Sequence, residues 1–97
     1  MAVQLKFADG ILKINGRLAF ETVMPALKES LIYFKNAKSI TIDLAAVEHA
    51  DSAPLALFCA WVRAAKQKSV VVNFINVPQQ LLRIAQISKV DKILGLH

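Results

Sequence analysis

The chain has 97 residues, of which 56% are hydrophobic and 20% charged, with three glycines and three prolines. This composition is too apolar for a disordered chain, and the length suits one small domain rather than two. The formal net charge is +5, most of it carried by residues 49–97. No aromatic residues alternate with the basic ones in that half, so we do not expect nucleic-acid binding.

Membrane insertion and export are not expected either. The longest stretches without a charged residue, 52–62 and 69–82, fall short of the roughly 20 apolar residues that a spanning helix needs. The first residues do not have the basic and then apolar order of a secretory signal. The single cysteine, Cys59, has no second thiol for a disulfide. We therefore expect a cytoplasmic protein, with Cys59 as a small core residue.

A two-stranded hairpin is predicted at the start of the chain. Apolar and polar residues alternate over residues 3–7, Asp9-Gly10 is a hairpin turn signal, and an apolar run at 11–14 stops at Asn15-Gly16. From Thr22 the period becomes helical, and Pro25 is tolerated because it lies in the first turn. The core positions of this helix are predicted to be Met24, Leu27, Leu31 and Phe34.

The middle of the chain is predicted to form a βαβ unit. Residues 39–44 and 70–75 are short β-branched runs, and residues 52–68 between them have the length of a helix. Parallel strands joined by a right-handed crossover follow from that order. A third helix is predicted after Asn76-Val77-Pro78, and a short last one at 91–94. The expected fold is a single α/β domain, a mixed sheet packed by helices.

Catalytic chemistry is difficult to assemble from these residues. No histidine pairs with a cysteine or carboxylate at metal-ligand spacing, and no glycine-rich loop could hold a phosphate. We expect no catalytic residue, metal, cofactor or small-molecule substrate. One alternative stays open: Asp43, Glu48 and Asp51 lie near the predicted end of the third strand, where open α/β sheets bind ligands.

The segment Asp51-Ser52-Ala53-Pro54-Leu55 is the most informative part of the sequence. Ser52 is a good N-cap, whose hydroxyl could accept the N–H of Leu55, and Pro54 suits the first turn of a helix. The same hydroxyl would stand at the positive end of that helix, where it could receive a phosphate or contact a partner.

The helix that follows is apolar on more than one face. Its apolar side chains form two stripes, Leu55, Phe58, Val62 and Ala65, and Leu57, Trp61 and Ala64. One stripe is enough to cover a sheet. The second stripe either packs against a neighbouring helix or is an exposed patch for a partner, with Trp61 as its anchor.

The order of elements and the Asp51-Ser52 loop resemble the STAS domain of bacterial anti-sigma-factor antagonists over nearly the whole chain, which implies a single STAS domain at residues 1–97. That family typically has Asp-Ser-Ser-Gly-Leu or Asp-Thr-Gly-Gly-Leu here. Asp51, Ser52 and Leu55 match this pattern, whereas Ala53 and Pro54 depart from it. The resemblance implies that Ser52 is the regulatory position, which a partner kinase can phosphorylate.

Proline in place of glycine stiffens the start of the helix and favours a constitutive docking role over a switch. The short length, Pro25 and Leu55-Ala56-Leu57 resemble the MlaB branch, the cytoplasmic STAS subunit of a Gram-negative phospholipid ABC transporter. This likeness implies binding to the transporter's ATPase subunit and, through it, to the permease complex.

The alternative is an anti-sigma-factor antagonist regulated by phosphorylation of Ser52. The candidate partner-binding residues are Asp51, Ser52, Ala53, Pro54, Leu57 and Trp61.

Overall fold

The chain begins with a β-hairpin, as predicted. In the computed structural model, which describes residues 3–35, 37–49 and 51–95, strands β1 (Gln4–Ala8) and β2 (Ile11–Leu18) pair antiparallel. The turn residues Asp9 and Gly10 both have positive φ, 53° and 78°. Positive φ at both central residues is the requirement of a type I′ turn, which matches the right-handed twist of the two strands.

Strand β2 does not end at Asn15-Gly16, so that part of the prediction was wrong. Gly16 has a φ of 115°, which a residue with a side chain rarely adopts, and it pairs with Val47 of the parallel strand β3 (Ser39–His49). The pair reads as a turn signal in the sequence, but the glycine instead lets an irregular strand continue.

The sheet has the order β1-β2-β3-β4, where β4 is Val71–Ile75. Strands β2, β3 and β4 are parallel to one another, and β1 runs antiparallel to β2. The predicted mixed sheet and βαβ unit are therefore confirmed. Because three neighbouring strands run the same way, their carboxyl ends lie at one edge of the sheet.

The described residues also form four helices: α1 (Phe20–Phe34), α2 (Ala53–Lys68), α3 (Gln79–Ile87) and α4 (Asp91–Leu94). Helices α1 and α2 pack against each other and against the sheet. Within the described ranges, no helix has both the length and the apolar character needed to cross a bilayer.

Only one face of the sheet belongs to the core. Its fully buried strand residues are Leu12, Ile14, Leu18, Ile40, Ile42 and Leu44. They pack with Phe58 and Trp61 of α2 and Phe34 of α1, and half-buried Cys59 lies at the margin of this cluster. The opposite face carries mostly polar, exposed side chains such as Lys13 and Asn73.

The buried face of α1 differs from the predicted one. Phe34 is buried and Leu27 and Leu31 are half-buried, but Met24 is 58% exposed. The residues facing the core instead follow a strict spacing of four: Thr22, Ala26, Ser30 and Phe34. Ser30 lies at the contact with α2, where its hydroxyl accepts a hydrogen bond from the buried indole of Trp61.

Candidate functional site

The starts of three helices converge at the carboxyl ends of the parallel strands. Helix α1 begins two residues after β2, α2 begins four residues after β3, and α3 follows the turn after β4. Leu18 and His49, the last residues of β2 and β3, are partners in the ladder. The first turn of α1 and the loop before α2 are therefore neighbours. We call residues 19–24, 51–54 and 76–79 the carboxyl edge.

Asp51, and not Ser52, caps helix α2 with its side chain. Asp51 Oδ1 accepts a hydrogen bond of 2.9 Å from the N–H of Ala53. The Ser52 hydroxyl makes no capping bond, and the N–H of Leu55 donates instead to the Ser52 main-chain carbonyl at 3.0 Å. The predicted hydroxyl cap was therefore wrong, because Ser52, with φ −90° and ψ 3°, lies outside the extended conformation that such a cap requires.

This arrangement leaves the hydroxyl of Ser52 at the surface. The residue is exposed at the start of a 16-residue helix, and none of its side-chain bonding capacity is used to begin that helix. The next two residues differ from it: Ala53 is half-buried and Pro54 is fully buried. Pro54 therefore fixes the start of the helix from inside the fold. The prediction that Pro54 contacts a partner was wrong, because its side chain is fully buried.

The alternative of Trp61 and Leu57 as a partner surface is also wrong. Trp61 is 0% exposed and Leu57 2% exposed. The indole Nε1 donates a hydrogen bond of 2.7 Å to Oγ of Ser30 on α1, and the ring stacks on Phe58 with centroids 5.9 Å apart. The second apolar stripe of α2 therefore packs against the neighbouring helix, the other alternative left open by the sequence.

Two apolar residues that the sequence did not single out for binding occupy the surface instead. Phe20 is 81% exposed and Met24, one turn further along α1, is 58% exposed. Both lie on the carboxyl edge, where the strand ends Leu18 and His49 are partners in the ladder. Their positions could not be recognised beforehand, because apolar residues at the start of an amphipathic helix are normally attributed to the core.

The start of α1 is held firmly although Ala19, at its N-cap, has no side-chain acceptor. The hydroxyl of Thr22 accepts the main-chain N–H of Ala19 at 3.0 Å and donates to the carbonyl of Arg17 at 2.7 Å. One buried hydroxyl thus joins the end of β2 to the first turn of the helix. Phe20, between them, projects from a fixed backbone.

Comparison with known proteins identifies the fold family. A family model described as "Mlab, STAS domain" matches residues 1–95. The chain belongs to this STAS family. No curated protein matches the sequence significantly.

Solved structures extend the comparison of this STAS domain. A chain of the Acinetobacter MlaFEDB complex in its ATP-bound Vtrans2 conformation superimposes with a TM-score of 0.79 at 28% identity, covering 94% of this chain and 97% of that one. An anti-sigma factor antagonist from Mycobacterium paratuberculosis gives 0.67 at 20% identity, with coverages of 99% and 84%. The phosphorylated Bacillus cell fate determinant SpoIIAA gives 0.65 at 15%, with coverages of 94% and 86%. The last two similarities concern the fold alone.

The three carboxylates of the ligand-site alternative are not brought together in this STAS domain. Asp43 and Glu48 are five residues apart along β3, roughly 16 Å at the rise of a strand. Glu48 is aligned with Arg17 of β2, and Asp51 caps α2. Among the described residues, no three histidines, cysteines or carboxylates are grouped so that they could hold a metal ion.

Asp43 has a structural environment of its own on the open face of the sheet. Its Oδ1 accepts hydrogen bonds of 3.0 Å from Nδ2 of Asn76 and 3.0 Å from the N–H of Ala45. These two bonds, the first above all, lower the pKa of Asp43 because they favour the ionised carboxylate. The residue borders a shallow cleft of about 310 Å³, also lined by Lys6 and Lys13. Its bond to Asn76 joins β3 to the turn before α3.

Proposed function

We propose that this STAS domain is a non-catalytic accessory subunit that binds the ATPase subunit of an Mla-type ABC transporter through its carboxyl edge. The observation that carries the proposal is the pairing of two features at one place. The exposed Ser52, whose hydroxyl makes no capping bond, and Phe20, which is 81% exposed, both lie on the carboxyl edge. Both project from the fixed starts of packed helices.

The chemistry of the carboxyl edge suits a protein partner. Large apolar side chains exposed on a rigid element are the usual anchors of protein interfaces, with charged groups at the rim. Phe20 and Met24 supply the apolar centre. Arg17 and Glu21, an exposed ion pair with Nε and Oε1 3.3 Å apart, lie next to them. Ser52 has a short side chain, which permits close approach of a partner to the start of α2.

The kind of partner is inferred from the family and the Acinetobacter structure. That neighbour belongs to an MlaFEDB complex in an ATP-bound conformation, and the two chains cover one another almost completely. A subunit of this kind would lie on the cytoplasmic side of the inner membrane and be held there by its partner. It would support assembly and activity of the transporter in phospholipid transport and outer-membrane lipid asymmetry.

Co-purification tests this proposal. The chain is co-expressed with the ATPase subunit of the Mla-type transporter of its own organism, and the ATPase is recovered through a tag on the STAS domain. We expect a stable complex with the parent chain and its loss with Ser52→Asp, which places a charge at the contact. Failure of the parent chain to retain the ATPase would contradict the proposal.

A second function is favoured by one observation, the accessibility of the Ser52 hydroxyl. A kinase can reach this group, as a phosphorylation-switched anti-sigma-factor antagonist requires. Incubation with the serine kinases of the organism and ATP, followed by mass spectrometry of the peptide that contains Ser52, tests this alternative. For such an antagonist, Ser52→Ala would remain bound to its kinase, whereas for the transporter subunit it would bind its ATPase less tightly.

A further inference from the structure

Strand β4 is an edge strand with an unusual composition. It is the last strand in the sheet order, and in the described part of the chain it pairs with β3 alone. Its five residues, Val71–Ile75, include no charge and no proline, and Val71 is 60% exposed. Edge strands are normally protected from pairing by charged residues, prolines or bulges. Residues 71–75 have none of these features.

The main-chain groups that face outward can be assigned from the ladder. The N–H of Val71 donates to the carbonyl of Lys38, so it points towards β3. Main-chain groups alternate in direction along a strand. The N–H and C=O groups of Asn73 and Ile75 therefore also point towards β3, whereas those of Val72 and Phe74 point away from it. The free edge therefore offers the N–H and C=O groups of Val72 and Phe74.

These groups are arranged so that a second copy of the strand can pair with them. In an antiparallel pair related by a two-fold axis at Asn73, Val72 lies opposite Phe74 of the other copy. This is a hydrogen-bonded position for both residues, and the two-fold axis generates it twice. The pairing would satisfy four outward N–H groups and leave the ladder to β3 intact.

The side chains fit the same register. Val71 would lie opposite Ile75 of the second copy, which joins two exposed aliphatic side chains on the open face. Asn73 would lie opposite its own copy in a non-hydrogen-bonded position, where side chains are closest, and amide groups there can bond to each other. The nearest preceding charge, Lys68, would lie opposite Pro78, beyond the paired residues. No like charges oppose each other in this register.

We propose that β4 mediates self-association: two copies of the chain pair antiparallel through residues 71–75 and form one continuous eight-stranded sheet. Short strands bury little area, so the dimer is weak and depends on concentration. The paired edge lies outside the carboxyl edge as defined above. The proposal therefore does not rest on the proposed function.

Charge-swap variants at the two-fold axis test this geometry. Asn73 is exposed, so Asn73→Lys and Asn73→Glu should both leave the fold intact. Each variant alone sets two like charges directly opposite each other, which destabilises a strand pair. An equimolar mixture sets opposite charges there and should associate again. Asn15→Lys, the same substitution on the open face of β2 away from the free edge, is the matched control.

The measurement is sedimentation equilibrium from about 10 µM to about 1 mM, the range in which small interfaces associate. Circular dichroism and thermal melting confirm that each variant is folded. We expect the parent and Asn15→Lys to dimerise, each Asn73 variant to associate roughly two- to fivefold more weakly, and the mixture to regain the dimer. A monomeric parent chain, unaffected Asn73 variants, or a mixture that remains monomeric would each overturn the proposal.

Discussion

The indole of Trp61 and the hydroxyl of Ser30 join the two long helices by a buried hydrogen bond of 2.7 Å. The same Ser30 hydroxyl donates a hydrogen bond of 2.8 Å to the main-chain carbonyl of Leu27. Both residues are 0% exposed, and each polar atom has a partner. The bond sets the relative position of α1 and α2, and therefore of the Phe20 and Ser52 ends that form the carboxyl edge.

Substitutions of the two partners of this bond should lower stability by less than the sum of their separate effects. Ser30→Ala leaves the indole N–H buried without an acceptor and should lower the free energy of unfolding by about 1–3 kcal/mol. Trp61→Phe also loses ring volume, and Trp61→Ala should cost roughly 3–5 kcal/mol. In the double variant Ser30→Ala with Trp61→Phe, the loss should be smaller than the sum of the two single losses.

Denaturant unfolding of the parent, Ser30→Ala, Trp61→Phe and the double variant gives the coupling energy between residues 30 and 61. Additive losses would mean that the Trp61–Ser30 bond contributes nothing to the stability of the helix pair.

Asp51 and Ser52 should differ in their effect on stability. Asp51→Ala removes the acceptor for the N–H of Ala53 and should lower the free energy of unfolding by about 1 kcal/mol. Ser52→Ala removes no capping bond and should change it by less than about 0.5 kcal/mol. Thermal melting of both variants checks the order, and a larger loss for Ser52→Ala would restore the hydroxyl as the cap.

The titration of Asp43 should depend on Asn76. The hydrogen bond from the Asn76 side chain holds the pKa of Asp43 below its ordinary value of 3.8, so the carboxylate stabilises the fold above that value. This contribution is lost as the pH falls through the lower folded pKa. Asn76→Gly removes the donor and tolerates the positive φ of 57° at that position, so the pKa of Asp43 should rise.

Carboxyl carbon shifts in an NMR titration report the pKa of Asp43 directly. Lys13→Gln is the control and should move the pKa less, since the charge of Lys13 is the smallest of the causes that lower it. A larger pKa shift in Lys13→Gln than in Asn76→Gly would show that the hydrogen bond from Asn76 is not the main cause of the lowered pKa.

The sequence was sufficient to predict the order of elements, because turn chemistry and apolar periodicity are local properties. Asp9-Gly10 formed the hairpin, and the β-branched runs formed parallel strands. The pattern failed where the conformation of one residue decided the outcome. Gly16 continued a strand through its positive φ, and Ser52 adopted angles that exclude a side-chain cap.

The exposure of Asp51 and Ser52 was predicted from the sequence, whereas the exposure of Phe20 was not. The Asp51-Ser52 loop lies on the surface at the sheet edge, as the sequence indicated. Whether Trp61 or Phe20 is exposed depends on how α1 packs on α2. The spacing of apolar residues within one helix does not determine that packing. Two apolar stripes on α2 required a second helix to cover one of them, and that helix left its own Phe20 uncovered.

Substitutions of Ser52 should separate its roles in binding. Ser52→Thr keeps the hydroxyl and should bind the ATPase as the parent does. Ser52→Ala should bind more weakly although the fold is unchanged, and Ser52→Asp should lose binding because a charge meets a close contact. Co-purification at matched folded concentration provides the comparison. Equal or tighter binding by Ser52→Ala would favour the phosphorylation-switched antagonist.

The most direct measurement of the central claim is the affinity of Phe20→Ala for the transporter ATPase, determined by isothermal titration calorimetry. Ile32→Ala is the matched control, since Ile32 is 64% exposed near the other end of α1. If the carboxyl edge is the docking surface, Phe20→Ala should weaken binding by about 2 kcal/mol, or roughly 30-fold. Ile32→Ala should bind as the parent does, and both variants should melt as it does. Parent-like affinity in Phe20→Ala would contradict docking through this edge.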